Sequence, residues 1–258
     1  MPVPKRLDPS QEGLGSTRMF ASGSFVGGST VGQPEADVRR LRPEYAPLAS
    51  ADVAAFECLA QSVKDWAPDL VPGLLRTAAY TRAVIRSYDP AATDEAADAR
   101  MASRQVRSRI LDAPAGPRYW VILDEVVVRR PVGGPPTMAE QLRHIAALVR
   151  RHRIIAQVLP LSEGAHAGLD GLFKLLTFDD APPIAYVQGV RAGRLSADPA
   201  VTTRCTLTHE LLGATALSPA ASLALIEQAA AEYETHAEND EHEDRYEATH
   251  KYEDAHRT

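Results

Sequence analysis

Tyr119-Trp-Val-Ile-Leu123, followed at once by Asp124-Glu125, is the stretch on which the fold turns. It is too short for an ordinary helix and has no polar side, the pattern of a strand buried on both faces. Ile154-Ile-Ala-Gln-Val-Leu159 is a second such run. Phe173-Lys-Leu-Leu-Thr-Phe178 and Ile184-Ala-Tyr-Val187 are two more. Asp179-Asp-Ala-Pro-Pro183 supplies turn residues between the last pair, which reads as a hairpin. Pro131 to Pro136 is a Pro/Gly loop. Behind it Met138, Leu142, Ile145, Leu148 and Val149 mark the inward stripe of an amphipathic helix.

On either side of this region the pattern is helical. Phe56, Leu59, Ala60 and Val63 fall at helical spacing, with Ser50 as a candidate cap and Trp66-Ala-Pro68 as the end of that helix. Leu70-Val-Pro-Gly-Leu-Leu75 reads as a turn, followed by a helix from about Thr77 to Tyr88. Thr93 caps a predicted helix to about Leu111, with Met101, Val106 and Ile110 as its stripe. Two helices close the chain, Pro199–Thr215 and Ser218–Glu234, the second with Ser218 as cap and Pro219 at its first position. The expectation is an α+β fold: a small sheet of about four strands covered by helices, with helical N- and C-terminal segments. Residues 1–42 are rich in Gly and Ser without periodicity and are expected as a disordered arm. Residues 43–234 form a single sensing or interaction domain, and 235–258 an acidic, His-containing tail.

The chain has 258 residues, 45% apolar and 24% charged, enough for a real core. Cys58 and Cys205 stand far apart in helical segments, which argues against a disulfide scaffold and for a reducing compartment. No apolar h-region follows Lys5-Arg6, and no apolar run approaches the ~20 residues of a membrane span, so the expected location is cytoplasmic with no membrane partner. The net charge of -6 is uneven. From Glu227 onward there are eleven acids and three Lys/Arg, while 100–153 holds eleven arginines and four acids. The acidic end is expected to lie against that basic surface. Aromatic residues are not interleaved with the arginines, so nucleic acid is not expected as a partner.

Seven phrases point to a family. They are Trp66-Ala-Pro-Asp-Leu-Val-Pro-Gly-Leu-Leu-Arg-Thr77 with Tyr80-Thr-Arg-Ala83, Leu123-Asp-Glu-Val-Val-Val-Arg-Arg-Pro-Val-Gly-Gly134, Met138-Ala-Glu-Gln-Leu142, Gln157-Val-Leu-Pro160, Gly164-Ala-His-Ala-Gly168, Tyr186-Val-Gln-Gly189 and Leu217-Ser-Pro-Ala-Ala-Ser-Leu-Ala-Leu-Ile226. In order and spacing, over about residues 45–232, they resemble the C-terminal domain of unknown function of WhiJ-like, XRE-family actinobacterial regulators. Ala67, Arg76 and Gln188 depart from the pattern, where Glu, Gln and Glu are usual. In that family a helix-turn-helix precedes the shared region. The Gly/Ser-rich residues before Pro43 are not expected to supply one. The resemblance therefore implies regulation by gripping a ligand or a small partner protein of the kind encoded beside WhiJ-like genes.

Candidate site residues follow from residue type. His166 sits on a Gly-flanked loop and can titrate near neutral pH. Asp124 and Glu125 end a buried strand, where carboxylates line clefts or cap helices. These three are the catalytic candidates if the chain is an enzyme. Glu57, Trp66 and Tyr80 are expected to face one another as an acid beside aromatics. Arg129 and Arg130 before Gly133-Gly134 could hold an anion, and Tyr186 completes the ligand-binding set. No spacing signals a cofactor, and no His/Cys set closes a metal site. The function read from this is a regulatory or adaptor protein binding a small molecule or small partner, with no direct DNA reading and self-pairing as a homodimer left open. The alternative is a cofactor-independent enzyme of cyclase or isomerase type in a natural-product pathway, built on the same pocket.

Overall fold

In the computed structural model, residues 50–91, 93, 108–114, 116–188 and 193–255 are described. Chain order among them is α1 (Ser50–Leu59), β1 (Ser62–Ala67), α2 (Ala78–Tyr88), β2 (Arg118–Asp124), α3 (Glu125–Arg129), α4 (Pro135–Arg150), β3 (Ile154–Leu159), β4 (Phe173–Thr177), β5 (Ile184–Gln188), β6 (Gly193–Ser196), α5 (Pro199–Thr215) and α6 (Pro219–Ala255). The six strands form one mixed sheet in the order β3-β2-β1-β4-β5-β6. β1, β2 and β3 are parallel; β4, β5 and β6 add antiparallel to the other edge of β1.

The small sheet of about four strands is thus overturned, although the overall class is α+β. The two extra strands are β1 and β6. In the sequence β1 reads as the end of a helix because Val63 continues the spacing of Phe56, Leu59 and Ala60. Its own period is two: Val63 and Ala67 join one core and Trp66 the other. A central strand covered on both faces loses the alternation that would have revealed it. β6 is only four residues long and carries no apolar run.

One face of the sheet is covered by α1, α2, α4 and α6, whose core includes Phe56, Tyr80, Met138, Leu142, Ile145 and Ile226. The other face is covered by α5 through Cys205 and Leu212, over Trp66, Ile122, Leu159, Phe173 and Leu175. Starts and stops obey local chemistry. Thr77, Asp124 and Asp198 cap α2, α3 and α5 through side-chain oxygens. Ser218 Oγ accepts from Ala221 N ahead of α6. α6 runs on to Ala255, so the expected tail begins as helix. The expected Thr93–Leu111 helix lies largely, and the expected arm over 1–42 wholly, outside the described residues. No described helix is long and apolar enough to cross a membrane.

Candidate functional site

Two places gather ionisable side chains. The first is the carboxyl edge of the parallel strands, where ligands bind in open α/β sheets. The chain leaving β3 crosses here to reach β4. Trp66 Nε1 donates to Gly168 O at 2.9 Å, and a Cβ on Gly168 would lie 2.5 Å from the Trp66 ring, so only glycine lets the loop descend this far. The descent carries His166 onto Trp66, rings edge-on at 5.3 Å, with Nε2 at 3.7 Å from Asp124 Oδ2. His166 Nδ1 accepts from Gly168 N at 3.2 Å. His166 and Asp124, named separately from sequence, therefore do meet. Glu125 turns away: one oxygen accepts from Leu161 N at 3.0 Å and the other from Arg129 at 3.2 Å.

The second place is inside the opposite face. Lys174 Nζ lies 2.5 Å from Glu57 Oε1 and 3.1 Å from Asp65 Oδ2, and Tyr119 OH donates to that same Asp65 oxygen at 2.6 Å. Glu57 is 0%, Asp65 2%, Tyr119 2% and Lys174 7% exposed, so the whole group is out of water. Sheet register assembles most of it. Asp65 and Lys174 are directly opposed on β1 and β4, and Tyr186 opposes Lys174 from β5. Glu57 alone comes from a helix, α1.

The region from residue 50 to 228 matches the family model of a domain of unknown function, DUF5753. The chain belongs to the DUF5753 family. It matches no curated protein and no solved structure.

In this DUF5753 domain the remaining named residues are dispersed. Glu57, Trp66 and Tyr80 do not face one another. Adjacent residues of β1 point to opposite faces, so Trp66 joins the core under α5 while Tyr80 joins the other core. Tyr80 OH accepts from Val71 N at 3.2 Å, and burial pushes its pKa up. Arg129 is held by Glu125 and, at 2.7 Å, by Glu232 of α6, while Arg130 is exposed. Gly133 and Gly134 take positive φ to turn into α4, and a Cβ on Gly133 would meet Ala83 and Thr137 at 2.9 Å. That loop packs as a turn against α2 and the start of α4.

Sequence reasoning missed Asp65 and Lys174. The available signal was a charge inside an apolar strand, Lys174 in Phe173-Lys-Leu-Leu. It also missed Gln141, whose amide accepts from Thr77 N at 2.8 Å and donates to Leu75 O at 2.7 Å, pinning the Trp66–Thr77 phrase onto α4. His209 of α5 is buried against Trp120, ring centroids 5.1 Å apart, with neither ring nitrogen hydrogen-bonded among the described residues. Its approach to the Trp120 backbone falls short of hydrogen-bond geometry. Burial first, and Lys64 second, lower its pKa to about 4. Among the described residues no three His, Cys, Asp or Glu side chains are placed to hold a metal ion.

Proposed function

We propose that this DUF5753 chain is a regulatory or adaptor domain that responds to a small molecule, acting by binding rather than by catalysis. The observation that carries the reading is the Glu57–Lys174–Asp65–Tyr119 cluster. A buried ion group is weak evidence of stability, because its desolvation cost can exceed the attraction gained. Clusters of ionisable groups set in apolar surroundings instead concentrate at functional sites. The family phrases resembling WhiJ-like regulators fit the same reading, with the domain as the effector-receiving half of a control protein.

The enzymatic alternative rests on His166 and Asp124, and the geometry weighs against it. His166 Nδ1 is engaged by the Gly168 amide and Nε2 faces Asp124, so neither nitrogen is turned toward a substrate proton.

Native mass spectrometry tests the proposal. The purified chain is incubated with the small-molecule fraction of an actinobacterial extract and desalted. A one-to-one adduct of defined mass is expected. A chain that emerges bare at every extract concentration overturns the reading.

A further inference from the structure

The two faces of the sheet are covered unequally. Four helices lie on one face and α5 alone on the other. Six strands make a sheet about 24 Å wide, room for two helices side by side at their usual spacing of about 8–10 Å. Strand register shows which part of the α5 face stays open. Gln157, Ile122, Trp66 and Phe173 form one row across β3, β2, β1 and β4, and all four are buried. The next row toward the amino ends of the parallel strands holds Ile155, Trp120 and Lys64. Here Ile155 is 47% exposed, and Trp120 and Lys64 are half-buried. Alternation along β2 puts exposed Arg118 on the same side, and exposed Arg153, one residue ahead of β3, is level with it. Lys64 Nζ lies 5.7 Å from the centre of the Trp120 ring. Among the described residues none of Lys64, Arg118 and Arg153 meets a carboxylate. The strip is apolar at Ile155 and Trp120 and positively charged around them.

The opposite face shows how this chain satisfies such cations: Arg129, Arg143 and Arg150 each meet a glutamate of α6. α6 continues as one helix to Ala255, past residue 228 where the family region ends. Its last twenty residues, 236–255, carry eight acids against two Lys/Arg and span about 30 Å. Ala248, Tyr252 and Ala255 recur at i, i+4 and i+7, the spacing of a narrow apolar stripe. An unbroken helix docked on α4 does not turn back around the sheet edge, so this end does not reach the α5 face of its own domain. The α5 face of a second copy is open to it.

We propose that residues 236–255 of α6 dock beside α5 on the Ile155–Trp120–Lys64 strip of a second copy of this chain. The apolar stripe covers Ile155 and Trp120, and the flanking carboxylates pair with Lys64, Arg118 and Arg153. In a twofold pair each copy gives a helix and receives one, so the contact is made twice and each docking favours the other.

Sedimentation velocity of the full chain tests the proposal. At about 50 mM NaCl the chain is expected to pass from monomer to dimer as its concentration rises, and at about 1 M NaCl to stay monomeric. An excess of a synthetic peptide of residues 236–255 should convert the dimer to monomer. Arg118→Glu should weaken dimerisation about tenfold or more. Lys64→Glu should do the same in a protein whose circular dichroism confirms folding. Arg130→Glu makes the same change in net charge at an exposed arginine outside the strip and should leave the dimer unchanged. A chain that stays monomeric at every concentration and salt overturns the proposal. A dimer that the peptide does not dissociate, or that Arg118→Glu leaves intact, overturns it by placing the interface elsewhere. Equal weakening by Arg130→Glu and Arg118→Glu overturns it too, because the attraction would then be one of overall charge.

Discussion

Under α1, α4 and α6 the sheet buries Glu57, Asp65, Lys174 and Tyr119, each joined to another. Under α5 it buries His209 with neither ring nitrogen hydrogen-bonded among the described residues. The same sheet thus handles buried polarity in two ways. On the first face, acidic and basic side chains are buried in contact with one another. On the second, an imidazole tolerates burial only by remaining neutral, which is why its pKa falls to about 4. The first arrangement fails when a partner is removed, the second when a proton is added.

The largest expected effect is on the first face. Lys174→Met leaves Glu57 and Asp65 facing each other without the ammonium between them, and loss of one partner of a buried ion group costs about 3–5 kcal/mol. Urea unfolding at neutral pH measures it. A loss below about 1 kcal/mol would mean that the cluster is not held as ions, and the contrast between the faces would disappear.

Acid should break the second face. An unfolded histidine titrates near 6.5, whereas folded His209 titrates at about 4, so the unfolded chain takes the proton more readily. Stability linked to His209 is complete above about pH 6.5 and drains away as pH falls toward 4, by roughly 3 kcal/mol. Carboxylates titrate near the lower end of this window too, so the informative quantity is the difference between wild type and His209→Leu. The variant should lack this part of the acid sensitivity. Parallel curves from pH 7 to 4 would show that the imidazole has a partner or reaches water.

Next in size is the loop that crosses the carboxyl edge. Gly168→Ala drives a methyl to within 2.5 Å of the Trp66 ring. Overpacking of this kind costs about 1–3 kcal/mol. Thermal unfolding gives the magnitude, and tryptophan fluorescence reports whether Trp66 has moved.

How much of this was legible depended on how local the signal was. α5 and the start of α6 were readable because Pro199 and Ser218-Pro219 carry their own start signals. β2, β3, β4 and β5 were readable as apolar runs. β1 was not, because Val63 happens to extend the helical spacing of α1. The site was legible only in its parts. His166, Asp124, Glu57 and Tyr186 stood out by type, but Lys174 and Glu57 are 117 residues apart, and no local pattern joins them. A lysine in a strand reads as a solvent-facing residue until the neighbouring strand supplies its acid. The same limit explains the misplaced trio Glu57, Trp66 and Tyr80, grouped by chain proximity although alternation along β1 sends Trp66 to the other face.

The smallest effect sharpens the contrast by repeating the first face's chemistry on its outside. Arg129, Arg143 and Arg150 meet Glu232, Glu234 and Glu227 of α6 at 2.6–2.7 Å. The distances fall between the 2.5 and 3.1 Å found inside, but these side chains are partly open to water. Hydrogen bonding from Arg143 lowers the Glu234 pKa, yet the Glu234 side chain is 43% exposed, and solvent screening removes most of the benefit. Arg143→Ala should therefore shift the unfolding midpoint only slightly at low salt and not at all near 1 M NaCl, where the Debye length is about 3 Å. Lys174→Met should keep its full cost at the same salt, because ions do not enter the core. Equal salt dependence for the two variants would mean that water reaches Lys174, and the distinction drawn between the interior and the rim of this face would not hold.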